Sequence, residues 1–120
     1  MEFKEIMALV CYHGENPHRI NQERADEILE TVSDPYQRKI IGCIKDESKT
    51  VFQISKDAGI ATSTVYRKIH KLDEKKLLIS SGSITPQKKR EFKYKSKIRK
   101  VVTVFDEDVI DVKIYTNLRD

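Results

Sequence analysis

The chain has 120 residues, 23 of them Lys or Arg and 19 Asp or Glu, for a formal net charge of +4. That length suits one domain that buries about 65% of its unfolded surface around a single core, and an ordinary apolar fraction beside 35% charged residues excludes a disordered or fibrous chain. The longest uncharged apolar run, Ile6 to Tyr12, is too short to span a bilayer, Met1-Glu2 is the wrong start for a signal peptide, and Cys11 and Cys43 alone make no disulfide framework, so a cytoplasmic protein with no membrane contact is expected.

Phe3, Ile6, Met7, Leu9 and Val10 fall largely on one side of a helix that Gly14 can end, and a polar stretch containing Asn16-Pro17 follows with no predicted element. From Gln22 to Ser33, the residues Ala25, Ile28, Leu29 and Val32 keep the i, i+3, i+4, i+7 spacing of an amphipathic helix. Asp34 is a good N-cap, and Pro35 belongs at a first helical position because its missing N–H would have been unpaired anyway. The next helix is predicted from Pro35 to about Lys45, burying Tyr36, Ile40, Ile41 and Ile44.

Ser48-Lys49-Thr50 supplies a turn and a cap for a short helix from Val51 to Ala58 with Phe52 and Ile54 inward. Gly59 can take the left-handed conformation that ends it, and Ile60 can plug the corner. Thr62 or Ser63 then caps a longer helix to about Lys76, whose inner stripe is Val65, Ile69 and Leu72. Short helix, tight Gly turn and longer helix make a helix-turn-helix.

Beyond Lys76 the period changes to two. Leu77 to Ile79 begins a strand, Ser80 to Arg90 lacks periodicity, and Phe92, Tyr94 and Ser96 alternate with Lys93, Lys95 and Lys97. Two strands joined by a basic loop form a wing. Val102 and Val104 before Asp106-Glu107-Asp108, with Ile110, Val112 and Ile114 after it, predict a second hairpin. The predicted fold class is α+β: a winged helix-turn-helix over residues 25–98, an N-terminal helix and connector over 1–24, and over 99–120 a C-terminal β-hairpin able to serve as a dimerisation element.

The small net charge conceals blocks of opposite sign: −5 over residues 1–34, +5 over 35–86, +7 over 87–100 and −3 over 101–120. Positive charge is therefore concentrated on the helix-turn-helix and the wing, as a polyanion-binding surface requires. With about 100° per residue and the stripe inward, Ser63, Arg67 and His70 point outward, Thr64 and Lys71 take one flank, and Tyr66 takes the other. Arg67 can pair bidentately with guanine O6 and N7, Ser63 and Thr64 suit bases or phosphates, Lys71 suits a phosphate, and Thr62, Tyr66 and His70 complete the expected DNA-contacting set on this helix. Lys88, Lys89 and Arg90 at the wing tip, with Lys93 beyond them, suit a phosphate backbone or a minor groove. The plainer readings are a solvated helix face and a Lys-rich strand that discourages edge pairing.

The run Ile28-Leu-Glu-Thr-Val-Ser-Asp-Pro-Tyr-Gln-Arg-Lys-Ile-Ile-Gly-Cys-Ile44, followed by helix-turn-helix and strand-wing-strand, resembles the winged-helix regulators of the arsenic-repressor (ArsR) family, with their Leu-Ser-Asp-Pro-x-Arg-x-x-Ile-Leu pattern, over residues 25 to 98. The resemblance implies a transcription regulator that inserts the Ser63 to Lys76 helix into a major groove and lays its wing beside a phosphate backbone. Three departures stand out. Val51-Phe52-Gln53 replaces the Cys-x-Cys of metal-sensing members, the tail reads as a hairpin where a dimerising helix is usual, and Ser55 stands where Ala is typical.

Cys11, His13, His18 and Cys43 match no standard metal-ligand spacing, and no glycine-rich loop or nucleophile elbow is present, so no cofactor, metal or catalysis is expected. The expected partner is double-stranded DNA, bound by a homodimer; the sequence assigns no effector. The alternative is a winged-helix protein-interaction module. RNA binding is a third reading, short of stacking aromatics, with only Tyr66, Phe92 and Tyr94 nearby.

Overall fold

The computed structural model describes residues 18–117, with side chains from Ile20 onward. The helix expected around Phe3 to Val10, and Cys11 and His13, lie outside these residues. Two residues of strand, β1 (His18–Arg19), precede α1 (Gln22–Ser33), whose first turn is capped by the Asn21 side chain accepting from the Arg24 amide at 2.9 Å. Asp34 then caps α2 (Pro35–Cys43) as expected, accepting from the Tyr36 amide at 2.9 Å. The helix stops two residues short of Lys45, with Ile44 as its C-cap.

Two expectations about inward-facing residues fail for one reason. Tyr36 is 48% exposed, and Gln37 takes the inward place beside Ile40 and Ile44. In α3 (Val51–Ala58), Val51 and Ile54 are buried while Phe52 is 73% exposed. Neighbouring residues on a helix point about 100° apart, and in helices this short the hydrophobic pattern does not choose between adjacent positions; packing does. The start of α3 is held by a reciprocal capping box, in which the Gln53 amide donates to Thr50 Oγ1 at 3.1 Å and the Thr50 amide to Gln53 Oε1 at 2.9 Å.

The end of α3 is equally well fastened. Gly59 adopts φ +67°, and its amide and that of Ile60 both donate to the Ser55 carbonyl, at 3.0 and 3.2 Å. The Ser55 hydroxyl returns the bond by donating to the Ile60 carbonyl at 2.5 Å. Ile60, turned into the core, is buried. The next helix, α4 (Thr62–Glu74), follows at once, but neither Thr62 nor Ser63 caps it: Ala61 holds the cap position without a side-chain bond, and Thr62 Oγ1 donates to Ser55 Oγ at 3.2 Å. The hydroxyl that could cap the helix is thus spent on the corner. As expected, Val65, Ile69 and Leu72 are buried, joining Ala25, Ile28, Ile40, Ile44 and Ile54 in one core.

The wing is longer and more regular than its sequence suggests. β2 (Leu78–Ile84) and β3 (Arg90–Ser96) pair from Leu78↔Ser96 to Ile84↔Arg90, so only residues 85–89 form the loop. Leu78 and Ser96 are buried at the base, whereas Ser80 to Ile84 are exposed. The outer half of the hairpin extends beyond the core, so both of its faces meet solvent and no apolar period is written there. A bridge between Lys49 and Tyr94, closed by N–H to O bonds of 3.0 and 2.8 Å, ties the wing base to the start of α3.

Lys97 alone separates β3 from β4 (Ile98–Asp106), which pairs with β5 (Val109–Thr116) in the expected second hairpin. Its two-residue turn places both Glu107 and Asp108 at positive φ, the twist that a tight hairpin demands. β1 adds to β5 through His18↔Ile114 and Arg19↔Lys113, giving the order β1-β5-β4 in a stretch for which no element was predicted. Ile98 and Val112 enter the same core as the helices. The Asn117 amide side chain donates to the carbonyls of Lys45 and Ser96 at 2.7 and 2.8 Å, lacing the hairpin to the end of α2 and the wing base.

The corner makes a direct prediction. Gly59→Ala should cost about 1 kcal/mol because a Cβ disfavours the left-handed backbone, even though nothing lies within 4 Å of the added atom. Ser55→Ala should cost a similar amount, about 1 kcal/mol, by removing the bond to Ile60. Urea unfolding of the three proteins measures both; an unchanged midpoint for Ser55→Ala would show that its hydroxyl is not a fastener.

Candidate nucleic-acid interface

Helix α4 presents the expected polar face. Ser63, Arg67, His70 and Lys71 are exposed, Thr64 is half-buried on one flank, and Tyr66 is 60% exposed on the other. Arg67 makes one long contact with Thr64 Oγ1, 3.4 Å, and is otherwise extended toward solvent. His70 Nε2 stands 2.6 Å from Glu74 Oε1 one turn on, so an acid the sequence reading did not consider sits at the edge of the same face. Thr62, engaged with Ser55, fastens the corner.

What holds this helix at its angle is a contact that the sequence reading missed. Lys68 Nζ donates to Asp34 Oδ2 at 2.5 Å, and the same carboxylate accepts from Gln37 Nε2 at 3.0 Å and from the Tyr36 amide. The Lys68 ammonium also lies 5.9 Å from the centre of the Tyr36 ring. Gln37 first, and Lys68 second, hold the Asp34 carboxyl well below the usual carboxylate range. Both side chains are mostly buried, where an ion pair with satisfied hydrogen bonds persists and a broken one is costly. Asp34 is thus the cap of α2 and the anchor of α4. Its role as a cap was legible in Asp34-Pro35; its role as anchor spans 34 residues and left no local signal.

In the wing, Lys88 and Lys89 occupy the tip, and three bonds order the loop: Lys88 amide to Thr85 carbonyl at 2.8 Å, Thr85 amide to Lys89 carbonyl at 2.9 Å, and Lys89 amide to Thr85 Oγ1 at 3.1 Å. Arg90 lies in β3, not at the tip. Because Arg90 pairs with Ile84 and Phe92 with Gly82, these four share one wing face, whereas Lys93 and Lys95, opposite Ser81 and Ile79, share the other. The structure therefore separates Arg90 from Lys93. The Arg90 face adjoins α3 and α4, where Phe52, Tyr66, Phe92, Tyr94 and Arg90 surround a hollow of about 260 Å³. Tyr94 is half-buried at its inner end, and burial, with the negative charge of Asp73, pushes its phenol up.

Cys43 is half-buried, and burial raises its thiol, which disfavours the reactive thiolate. Among the described residues no three His, Cys, Asp or Glu side chains are grouped to hold a metal ion, and no helix is long and apolar enough to cross a membrane.

Asp34→Asn keeps an oxygen for capping but removes the charge facing Lys68. The native protein should be the more stable by about 1–2 kcal/mol at neutral pH. A carboxyl with a depressed folded value contributes stability above its unfolded pKa of about 3.9 and loses it as pH falls through the folded value, so the gap should close in acid. Denaturant unfolding of both proteins from neutral to strongly acid pH checks this; a gap independent of pH would exclude the charge as its source.

No protein-family model matches the chain, and no curated protein matches it. Among solved structures, the crystal structure of NolR from Sinorhizobium fredii is similar, with a TM-score of 0.51 and 22% identity over 62% of this chain and 69% of NolR. A likeness at that identity is one of fold, and with the element order above it makes the chain an α+β protein of the winged-helix type.

Proposed function

We propose that the chain is a transcription regulator that binds double-stranded DNA, related to the ArsR type through its Ile28 to Ile44 run, and that it acts as a homodimer. The observation that carries this reading is the outer face of α4. Ser63, Arg67, His70 and Lys71 project from a helix whose opposite side is buried and whose flank is pinned by Lys68, so the face is presented rigidly. With α4 in the major groove, Arg67 reads guanine, Ser63 and Thr64 meet bases or the adjoining phosphate, and His70 exchanges Glu74 for a DNA acceptor. Lys71, Lys88, Lys89 and Arg90 take phosphates, and Lys93, on the far side of the wing, adds to the attracting field. The terminal hairpin, with Phe105, Val109 and Ile110 exposed, supplies apolar surface for pairing two chains across a symmetric site. The reading requires no catalysis and no cofactor.

Titration against random-sequence duplex DNA at several salt concentrations tests it. The four cations Lys71, Lys88, Lys89 and Arg90 on phosphates give a log-log slope of roughly −3.6 for each chain bound, about twice that for a homodimer, and absence of binding at low salt would overturn the proposal. Selection of bound sites from a random pool should return a two-fold-symmetric sequence if the chain acts as a homodimer. On a selected site, Arg67→Ala should lower discrimination about ten-fold, and Lys89→Ala should weaken binding to every sequence alike. Uniform losses for both variants would show that α4 is not the reader.

A further inference from the structure

Phe52 is 73% exposed, Tyr66 60% and Phe92 47%, and they come from three separate elements to surround one hollow. Exposed aromatic side chains scattered singly need no explanation, but a cluster of three on a basic surface does. Phe52 contributes little to the core, which Val51 and Ile54 on the same helix already serve. The Phe92 ring is deliberately accommodated: it lies over Gly82 across the hairpin, and a Cβ at that glycine would stand 3.2 Å from the ring carbon Cε1. The absence of a side chain at position 82 leaves the Phe92 ring room to lie there, with an exposed aromatic face beside the hollow.

From this juxtaposition we infer that the hollow is a stacking site for unpaired nucleobases, and that the protein binds single-stranded nucleic acid through it. Charge chooses this occupant over a protein surface. Arg90 lines the hollow, Lys88 and Lys89 lie beyond it on the wing and Arg67 on α4, with Glu91 the one acid among the lining residues. Protein interfaces share the aromatics and the Arg of this lining but are depleted in Lys, and here the wing sets Lys88 and Lys89 beyond the hollow; aromatic platforms beside such a cationic track are what a single strand requires, because every base has a π-face and every linkage a charge. A duplex offers the charge but keeps its base faces inside the stack. At about 260 Å³ the hollow falls below the roughly 300–1,000 Å³ of pockets that enclose larger ligands, and it suits one planar ring system. Arg90 can also stack its guanidinium on a base or pair with the following phosphate.

The inference shares the basic surface of the proposed regulator but uses side chains to which that reading gives no part, Phe52 and Phe92. Fluorescence anisotropy with a labelled oligothymidylate and a labelled blunt duplex, on the native full-length protein, separates the two. The native protein is expected to bind the oligothymidylate, with Phe52→Ala and Phe92→Ala each lowering that affinity about ten-fold or more, Phe92→Trp retaining it, and duplex affinity roughly unchanged throughout. Thermal melts by circular dichroism establish that the variants are folded. Duplex binding without oligothymidylate binding overturns this inference and leaves the regulator standing; the converse supports it and overturns duplex reading. Parallel losses on both probes, or self-association abolished by Phe52→Ala with no single-strand binding, would assign the aromatics to another role and overturn it.

Discussion

The corner at Gly59 is the constraint from which the direction of the exposed face of α4 follows. If the chain continued straight out of α3, the stripe Val65, Ile69 and Leu72 would meet water, and the polar face of α4 would have no fixed direction. The left-handed glycine turns the chain, Ile60 fills the space inside the turn, and Ser55 closes it from both sides with its carbonyl and its hydroxyl. The stripe then reaches the core built by Ile40, Ile44 and Ile54. Once that side is buried, the outward direction of Arg67 and His70 is a geometric consequence. The Asp34 to Lys68 pair fastens the same helix to α2, so the angle is held by packing beneath it and by charge at its flank.

The layout of cations follows the same division between support and display. Lys68 is committed to Asp34, Lys49 to Asp57 at 2.8 Å and Arg99 to Asp46 at 2.8 Å. The bond from Asp57 raises the Lys49 ammonium, and that from Arg99 lowers the Asp46 carboxyl, so each pair favours its charged form. Among the described residues no ion pair engages Arg67, Lys71, Lys88, Lys89 or Arg90. These charges remain available to a polyanion. A count of bases along the chain treats both groups alike, and only their partners distinguish them.

Much of the scaffold was legible because its signals are local. Apolar spacing marks α1, Asp34-Pro35 and Thr50 mark helix starts by capping chemistry, and Gly59 marks a stop, so α1 and α3 fall where the pattern placed them. The second hairpin was legible from alternation around Asp106-Glu107-Asp108. The failures have separate physical causes. Gln37 displaced Tyr36, and Phe52 turned outward, because adjacent helical positions differ by a rotation that a two-turn pattern does not resolve. Thr62 left its expected cap for Ser55, since the corner offered its hydroxyl a competing partner. The wing strands ran on through Ser80 to Ile84 because, beyond the core, backbone pairing continues where hydrophobic contrast has ended.

From its residues alone, then, the chain determined its α+β class, the order of helix, turn, helix and wing, and which side of α4 is polar. Each of these rests on periodicity, capping or a left-handed turn, properties that act within a few residues. The tertiary structure alone decided that Lys68 is an anchor and Arg67 is not, that Arg90 and Lys93 take opposite wing faces, and that Phe52, Tyr66 and Phe92 converge on one hollow. Those outcomes depend on packing between segments distant in sequence, where burial and register choose among side chains that local spacing leaves equivalent.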